Sequence, residues 1–432
     1  LPFKLLAYWE HYDSAVDEND LIVFEEANYG YDFKKKRGNQ PCYTLSKNEN
    51  GYHLSLSYYI GVDWIELNRT ALYVSPKLNT RLNEKTGNEA PKETNYIKML
   101  FDALKHQEIA SEIDELFEIK WGLPEIEIQQ KQDLLTPLLV VQFLSLLKTI
   151  VRKGLKKSYY KVELNLHGKI KGKVLTGKTI KQNLFKNKSL NTYCAYDEFG
   201  WNGLENRLLK KALVFIQRYL PAYSHLGAND FAIDLFNYIT PAFEMVSEEV
   251  QVNDIKFTRN NAFYKEYGEA IRLAKLILKR FGYNISNTET GKITTPPFWI
   301  DMSKLFELYV LGLLKDRFKN SGEVKYQFSS YWNELDYLLN TPNYKMVVDA
   351  KYKEHYQSGF KNEDIRQVSG YARLKSVYDE LKRPYNEIID CLIIYPDQEL
   401  GFDDLKNVDL KKVEIKEFVQ VYKMGIKLPL LD

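Results

Sequence analysis

Apolar and polar residues alternate through positions 52–60 and 64–74, where aromatic and branched side chains are common. A period of two predicts half-buried strands, so residues 1 to about 85 are expected to be β-rich. The polar, Gly- and Pro-containing stretch 79–92 predicts a loop. Apolar residues then recur at helical spacing over 96–117 and 134–155, and the segment 162–170 returns to strand-like alternation. Three long helical patterns follow at 203–219, 230–246 and 262–281, and the polar stretch 284–297 ends in Thr294-Thr295-Pro296-Pro297, a plausible linker. Beyond it the order is helix (301–318), strand-like segments (324–339 and 344–352), helix (363–381) and a fully apolar strand (388–395), an α/β unit around a small mixed sheet.

That last unit carries the candidate chemistry. In Val347-Val348-Asp349-Ala350-Lys351-Tyr352 an acid and a base stand two apart after an apolar run. On a strand, residues i and i+2 share a face, so Asp349 and Lys351 project together. Two such charges at the end of a buried strand are costly without a partner, and a divalent cation with a phosphate would supply one. A hairpin turning near 341–343 brings Asp336 beside Asp349, giving an oxygen-rich pair suited to Mg²⁺, with the Ala350 carbonyl as a further ligand. The cation would polarise a phosphate and acidify a bound water, and Lys351 would orient that water or offset the charge on phosphorus. The predicted helices add Glu307, a lone acid among apolar neighbours, and Gln367 with Tyr371, four apart on one face.

Length and charge refine this picture. A chain of 432 residues exceeds one ordinary core and predicts two or three domains. Its net charge is only +2, so any polyanion surface must be local. One such patch exists. Residues 152–188 hold twelve basic side chains against the single acid Glu163, which suits a DNA backbone. Lys153, Lys156, Lys157, Lys169, Lys171, Lys173, Lys178 and Lys181 are its candidate contacts, and Tyr159 and Tyr160 could stack on bases. Within the patch, Gly172 to Thr179 satisfies the G-x-x-x-x-G-K-[ST] pattern. A phosphate loop needs a buried strand before it and a helix after it. The alternating Glu163-Leu164-Asn165-Leu166-His167 is half exposed, so the match is expected to be a decoy.

Cys42, Cys194 and Cys391 are far apart and form no C-x-x-C pair, so neither a zinc ribbon nor a disulfide framework is indicated, and a reducing, cytoplasmic setting fits best. Cys391 is expected to be inert core. Histidines show no ligand spacing, and His355 is expected to be an exposed loop residue. The longest apolar run, 137–147, reads as a buried helix rather than a membrane span. The chain opens on Leu1-Pro2 without the features of a signal peptide. Asn206, Arg207 and Lys210, after Trp201-Asn202-Gly203, are expected to serve capping and packing.

Asp336, Asp349 and Lys351 resemble the core motif of the PD-(D/E)xK nuclease superfamily, with Leu335 where its proline would stand. Glu307 matches the acid on its first helix, and Gln367 and Tyr371 match the Q-x-x-x-Y addition of its RecB-like branch. The segments Leu305-Phe306-Glu307-Leu308-Tyr309-Val310, Asn202-Gly203-Leu204-Glu205-Asn206-Arg207 and His167-Gly168-Lys169-Ile170 make the chain similar to the McrC family, the nuclease subunits of McrBC modification-dependent restriction systems. The resemblance spans roughly residues 55–425. It implies a multidomain α+β protein with a β-rich N-terminal domain, a mostly helical middle region, and a C-terminal α/β restriction-endonuclease-like domain with a central mixed sheet. It also implies one or two Mg²⁺ per site, DNA as substrate, and a hexameric AAA+ GTPase partner of McrB type. GTP would be used only by that partner. The expected domains are 1–155 for partner binding, 156–290 for DNA contact and linkage, and 291–432 for the nuclease. A non-catalytic adaptor with the same fold and a stand-alone nucleotide hydrolase are the competing readings.

Overall fold

A computed structural model describes residues 3–16, 28–35, 38–48, 51–76, 94–106, 109, 116–129, 132–219, 228–250, 265–284, 292–330, 333–353 and 359–430. The expected loop 79–92 and His355 lie outside them. The chain divides into two compact units, Leu1–Val141 with Tyr223–Ala228 and Asn284–Asp432, and Gln142–Ala222 with Asn229–Tyr283. The N-terminal and C-terminal thirds, kept apart in the sequence reading, therefore share one unit.

The N-terminal third is built from β1 (Lys4–Trp9), β2 (Asp13–Val16), β3 (Asn28–Phe33), β4 (Gln40–Asn48), β5 (Gly51–Leu56), β6 (Tyr59–Glu66) and β7 (Thr70–Ser75). The alternation in β5 is visible as Tyr52, Leu54 and Leu56 buried and His53 and Ser55 more open. Strands β2, β5, β4 and β3 form one sheet. Helix α1 (Tyr96–Leu104) is shorter than expected, and Phe117 belongs to a strand, β8 (Phe117–Ile119), rather than to that helix. Next come β9 (Ile126–Gln129) and helix α2 (Leu135–Lys153). By length and composition α2 could cross a membrane, but 78% of its most apolar window is buried inside the protein, as for a core helix.

The second unit contains β10 (Ser158–His167), β11 (Lys173–Val174), α3 (Thr176–Gln182), β12 (Asn191–Gly200), α4 (Leu204–Tyr219), α5 (Ala228–Ile239) and α6 (Lys265–Asn284). Strands β10, β12 and β11 form a three-stranded sheet. Strand β12 was not anticipated, because its mixed Tyr, Cys, Asp and Glu content shows no clean period.

The C-terminal third returns to the first unit through β13 (Lys292–Thr295), which pairs with β9, and β14 (Phe298–Asp301). β14 inserts between β6 and β8, completing the sheet β1-β7-β6-β14-β8. Gly61 permits this approach: its φ is +149°, and a Cβ there would lie 2.1 Å from the Phe298 carbonyl oxygen. Beneath the pairing, buried Asp63 accepts from the Trp299 indole N–H at 2.8 Å and is ion-paired to Lys120. β14 runs directly into helix α7 (Met302–Arg317), whose N-cap is Asp301.

The last sheet has the order β15 (Val324–Ser330), β16 (Asn333–Asn340), β17 (Lys345–Ala350), β18 (Asp390–Pro396) and β19 (Val421–Ile426). The first three are antiparallel, and β17, β18 and β19 run parallel. The expected strand 324–339 is thus two strands. The expected helix 363–381 is likewise two, α8 (Asn362–Tyr371) and α9 (Lys375–Leu381). These helices make the crossover from β17 to β18 and pack Ile365, Val368, Val377 and Leu381 on Leu338, Val347 and Ile393. β18 is buried along its whole length, as a central parallel strand covered on both faces must be.

Candidate nuclease centre

The register Tyr337 opposite Val348 sets Asp336 opposite Asp349 one step along the same hairpin. Residues directly opposite in an antiparallel pair project to one face, so the two carboxylates converge. The regular pairing ends at that step, and the Ala350 N–H donates instead to Asp336 Oδ2 at 2.7 Å. Within a strand the N–H and C=O of one residue point the same way, so the Ala350 carbonyl faces that edge beside Asp336.

Asp349 is 1% exposed. Its Oδ2 lies 2.8 Å from Lys351 Nζ, off the direction an aligned hydrogen bond needs, so the compensation is chiefly coulombic. Lys351 Nζ also donates to Gln367 Oε1 at 3.0 Å, and Gln367 Nε2 donates to the Tyr371 hydroxyl at 2.8 Å. The structure therefore joins Asp349, Lys351, Gln367 and Tyr371 in one hydrogen-bonded and ionic chain from β17 to α8. Burial pushes the Asp336 carboxyl well above its ordinary range, and Asp349 and Glu307 add repulsion. Burial also raises Asp349, with Lys351 opposing the shift. For Lys351, burial works against the charge, but Asp349 and Asp336 outweigh it and hold the ammonium above its usual range.

Glu307 on α7 approaches from another side. Its Oε2 accepts from the Tyr326 hydroxyl at 3.3 Å and lies 3.9 Å from Lys304 Nζ. Its side chain keeps 22% exposure, so it is crowded but reachable. Burial raises its carboxyl to about 7, with Lys304 opposing and Asp301 assisting. Lys304, Tyr326 and Lys353, which pairs with buried Asp364 at 3.0 Å, were not singled out in the sequence. Lys353 continues the i, i+2 spacing of Asp349 and Lys351, the one signal that pointed to it.

Can this site hold a cation? Two converging carboxylates with raised pKa values lack sufficient positive charge, and a backbone carbonyl stands at the same edge. Among the described residues no group of three or more His, Cys, Asp or Glu side chains is placed to hold a metal ion, so a cation here would rest on the two aspartates, the carbonyl and water. A partial oxygen shell of this kind suits Mg²⁺, which retains waters and leaves room for phosphate oxygens.

The second unit treats the basic candidates differently. Lys153 pairs with Glu266, Lys156 with Glu205 at 2.7 Å, Lys171 with Glu198 at 3.1 Å and Lys178 with Glu163 at 2.9 Å. Lys157 lies over the Trp201 ring at 4.7 Å. Lys169, Lys173 and Lys181 have no ion pair among the described residues, and all three are exposed. The linear count overstated the patch, because β12 brings Asp197 and Glu198 against β10. Tyr159 is 76% exposed and Tyr160 half-buried, under Arg207.

The phosphate-loop match spans β11 and the start of α3. Its lysine, Lys178, is held by Glu163, and the Thr179 hydroxyl accepts from the Tyr193 N–H at 3.0 Å. Both side chains that would meet nucleotide are engaged in holding the small sheet. Asn206 is buried and bonds Lys156 O, Trp201 O and the Tyr267 hydroxyl, while Arg207 binds Asn202 and Lys210 binds Val246 O. Cys391 is buried, which lifts its thiol to about 12.

A family model described as the McrBC 5-methylcytosine restriction system component matches residues 54–396. Two solved structures from Thermococcus gammatolerans are similar. A half-complex from a tetradecameric assembly of McrB AAA+ hexamers with bound McrC has 15% identity and a TM-score of 0.38, covering 98% of this chain and 94% of that one. The McrBC complex has 14% identity and a TM-score of 0.29, covering 73% of this chain and 88% of that one. No curated protein matches the chain.

Proposed function

Because the chain belongs to the McrBC 5-methylcytosine restriction system component family, we propose that it is the DNA-cutting subunit of such a system, a Mg²⁺-dependent endodeoxyribonuclease. The observation that carries this reading is the meeting of Asp336, Asp349 and Lys351 where the β16–β17 pairing ends, with two buried carboxylates short of positive charge.

Asp336, Asp349 and the Ala350 carbonyl would hold the cation, which when bound supplies Lewis-acid polarisation of the scissile phosphate and a more acidic water. Lys351 keeps its proton at neutral pH, so it acts as a cation and hydrogen-bond donor rather than a base. It orients the attacking water or offsets charge on phosphorus. Gln367 fixes the lysine, and Tyr371 fixes Gln367. Glu307, raised to about 7, is the group with a proton to exchange near neutrality.

A system component implies a companion. The proposed partner is a hexameric AAA+ GTPase of McrB type, and GTP is used there only. The engagement of Lys178 and Thr179 within the small sheet supports that division. Lys169, Lys173 and Lys181 are proposed to grip DNA phosphates, with the ion-paired Lys153, Lys156, Lys171 and Lys178, and with Lys157, as secondary contacts. Residues 1–155 are proposed to engage the GTPase, and the system to act in the cytoplasm.

The test is cleavage of methylated duplex DNA by the full chain with its co-encoded GTPase, in Mg²⁺ or EDTA. Asp349→Ala should cut at least about 10³-fold more slowly while its circular dichroism stays unchanged. Cleavage that persists in EDTA, or in the folded variant, would exclude the nuclease reading.

A further inference from the structure

The N-terminal strands match nothing in the nuclease motif, yet they place a cation beside it. Lys35, just past β3, sets its Nζ 2.6 Å from Asp301 Oδ2. The carboxylate is fully buried and the lysine only 22% exposed. Asp301 is the N-cap of α7: its Oδ1 accepts the Lys304 N–H at 2.9 Å. One turn on, Lys304 Nζ donates to the Tyr326 hydroxyl at 2.6 Å, and that hydroxyl donates to Glu307. Lys35 also lies 5.8 Å from the Tyr59 ring and 6.0 Å from that of Tyr58, on β6 and the turn before it. A buried charge pair is not needed to cap a helix, since a neutral Asn caps equally well. Here the pair links residue 35 to the helix that carries the third acid of the site.

We propose that Lys35 is a positioning residue of the nuclease centre, acting through Asp301, Lys304 and Tyr326 to fix the Glu307 carboxylate. The proposal rests on the nuclease reading above. It makes the N-terminal sheets part of the catalytic frame, so that the nuclease third alone would carry a misplaced Glu307.

The test uses the full chain with its GTPase partner and four variants: Lys35→Arg, Lys35→Met/Asp301→Asn, Glu307→Gln, and the combination of the last two. The double variant removes both charges and keeps a capping side chain, so the fold is retained even if Lys35→Met alone strands a buried carboxylate. Expected are a melting temperature within a few degrees of wild type, an unchanged KM for DNA, and a kcat at least tenfold lower. Lys35→Arg should restore most of the rate. Added to Glu307→Gln, the double change should cost little more, because both act through one carboxylate. A double variant cleaving within twofold of wild type, or a loss that multiplies in full with that of Glu307→Gln, would overturn the proposal. Absence of Mg²⁺-dependent cleavage by the wild type would instead defeat the nuclease reading itself.

Discussion

Replacing Asp336 by Asn should make the metal-free protein more stable while abolishing the proposed cleavage. Asn is nearly isosteric, and its side-chain oxygen can still accept the Ala350 N–H that Asp336 Oδ2 takes at 2.7 Å. What disappears is a charge opposed by burial, by Asp349 and by Glu307. Residues directly opposite in an antiparallel pair carry Cβ atoms roughly 5 Å apart. Two unit charges at that distance repel by about 3 kcal/mol at an effective dielectric of about 20. Wild type can relieve part of this by taking up a proton, so the expected gain in EDTA at pH 8 is about 1–3 kcal/mol. The sign of the pH dependence follows from the same shift. The folded Asp336 carboxyl titrates above its ordinary 3.8, so between those values the folded state holds more protons than the unfolded one. Wild type therefore loses stability as pH rises from 3.8 through the folded titration of Asp336, and the variant lacks that contribution, keeping only those of the raised Asp349 and Glu307. Its advantage should be largest at pH 8 and shrink toward pH 5. Scanning calorimetry in EDTA at both values measures this, and a parallel scan in Mg²⁺ should stabilise wild type but not the variant. A variant less stable than wild type in EDTA at pH 8, or an advantage independent of pH, would refute the electrostatic account.

Two further outcomes test separate parts of the structure. Gly61→Ala should drive a Cβ against the Phe298 carbonyl oxygen, 2.1 Å away. It should yield protein that is insoluble or melts well below wild type, and a normal melt would contradict the pairing of β6 with β14. Changing Lys169, Lys173 and Lys181 together to Gln should weaken DNA binding alike for all sequences and lower the slope of log affinity against log salt by about 3. Fluorescence anisotropy over a salt series reads this, and an unchanged slope would remove DNA from that surface.

Much of the candidate site was legible because it is local. Asp349 and Lys351 share a strand face by periodicity, Gln367 and Tyr371 share a helix face, and the short turn at 341–343 forces Asp336 back toward Asp349. The apolar runs of β17 and β18 announced a covered sheet, and the spacing of acids and lysine marked the residues that the hairpin brings together. The basic patch was legible only as composition. Its strength depended on β12, whose Asp197 and Glu198 lie outside the counted window and meet β10 only through sheet pairing.

The sequence by itself determined the elements whose apolar period is clean, and the residue types that chemistry requires at i, i+2 and i, i+4. Tertiary structure alone decided that β14 inserts between β6 and β8, joining the first and last thirds in one unit. It alone decided that Lys35 meets Asp301, and that Lys178 meets Glu163. Such contacts leave no period in the chain: the β14 insertion and the Lys35–Asp301 pair are selected by burial of backbone and charge between distant segments, and the Lys178–Glu163 pair by the folding of the small sheet.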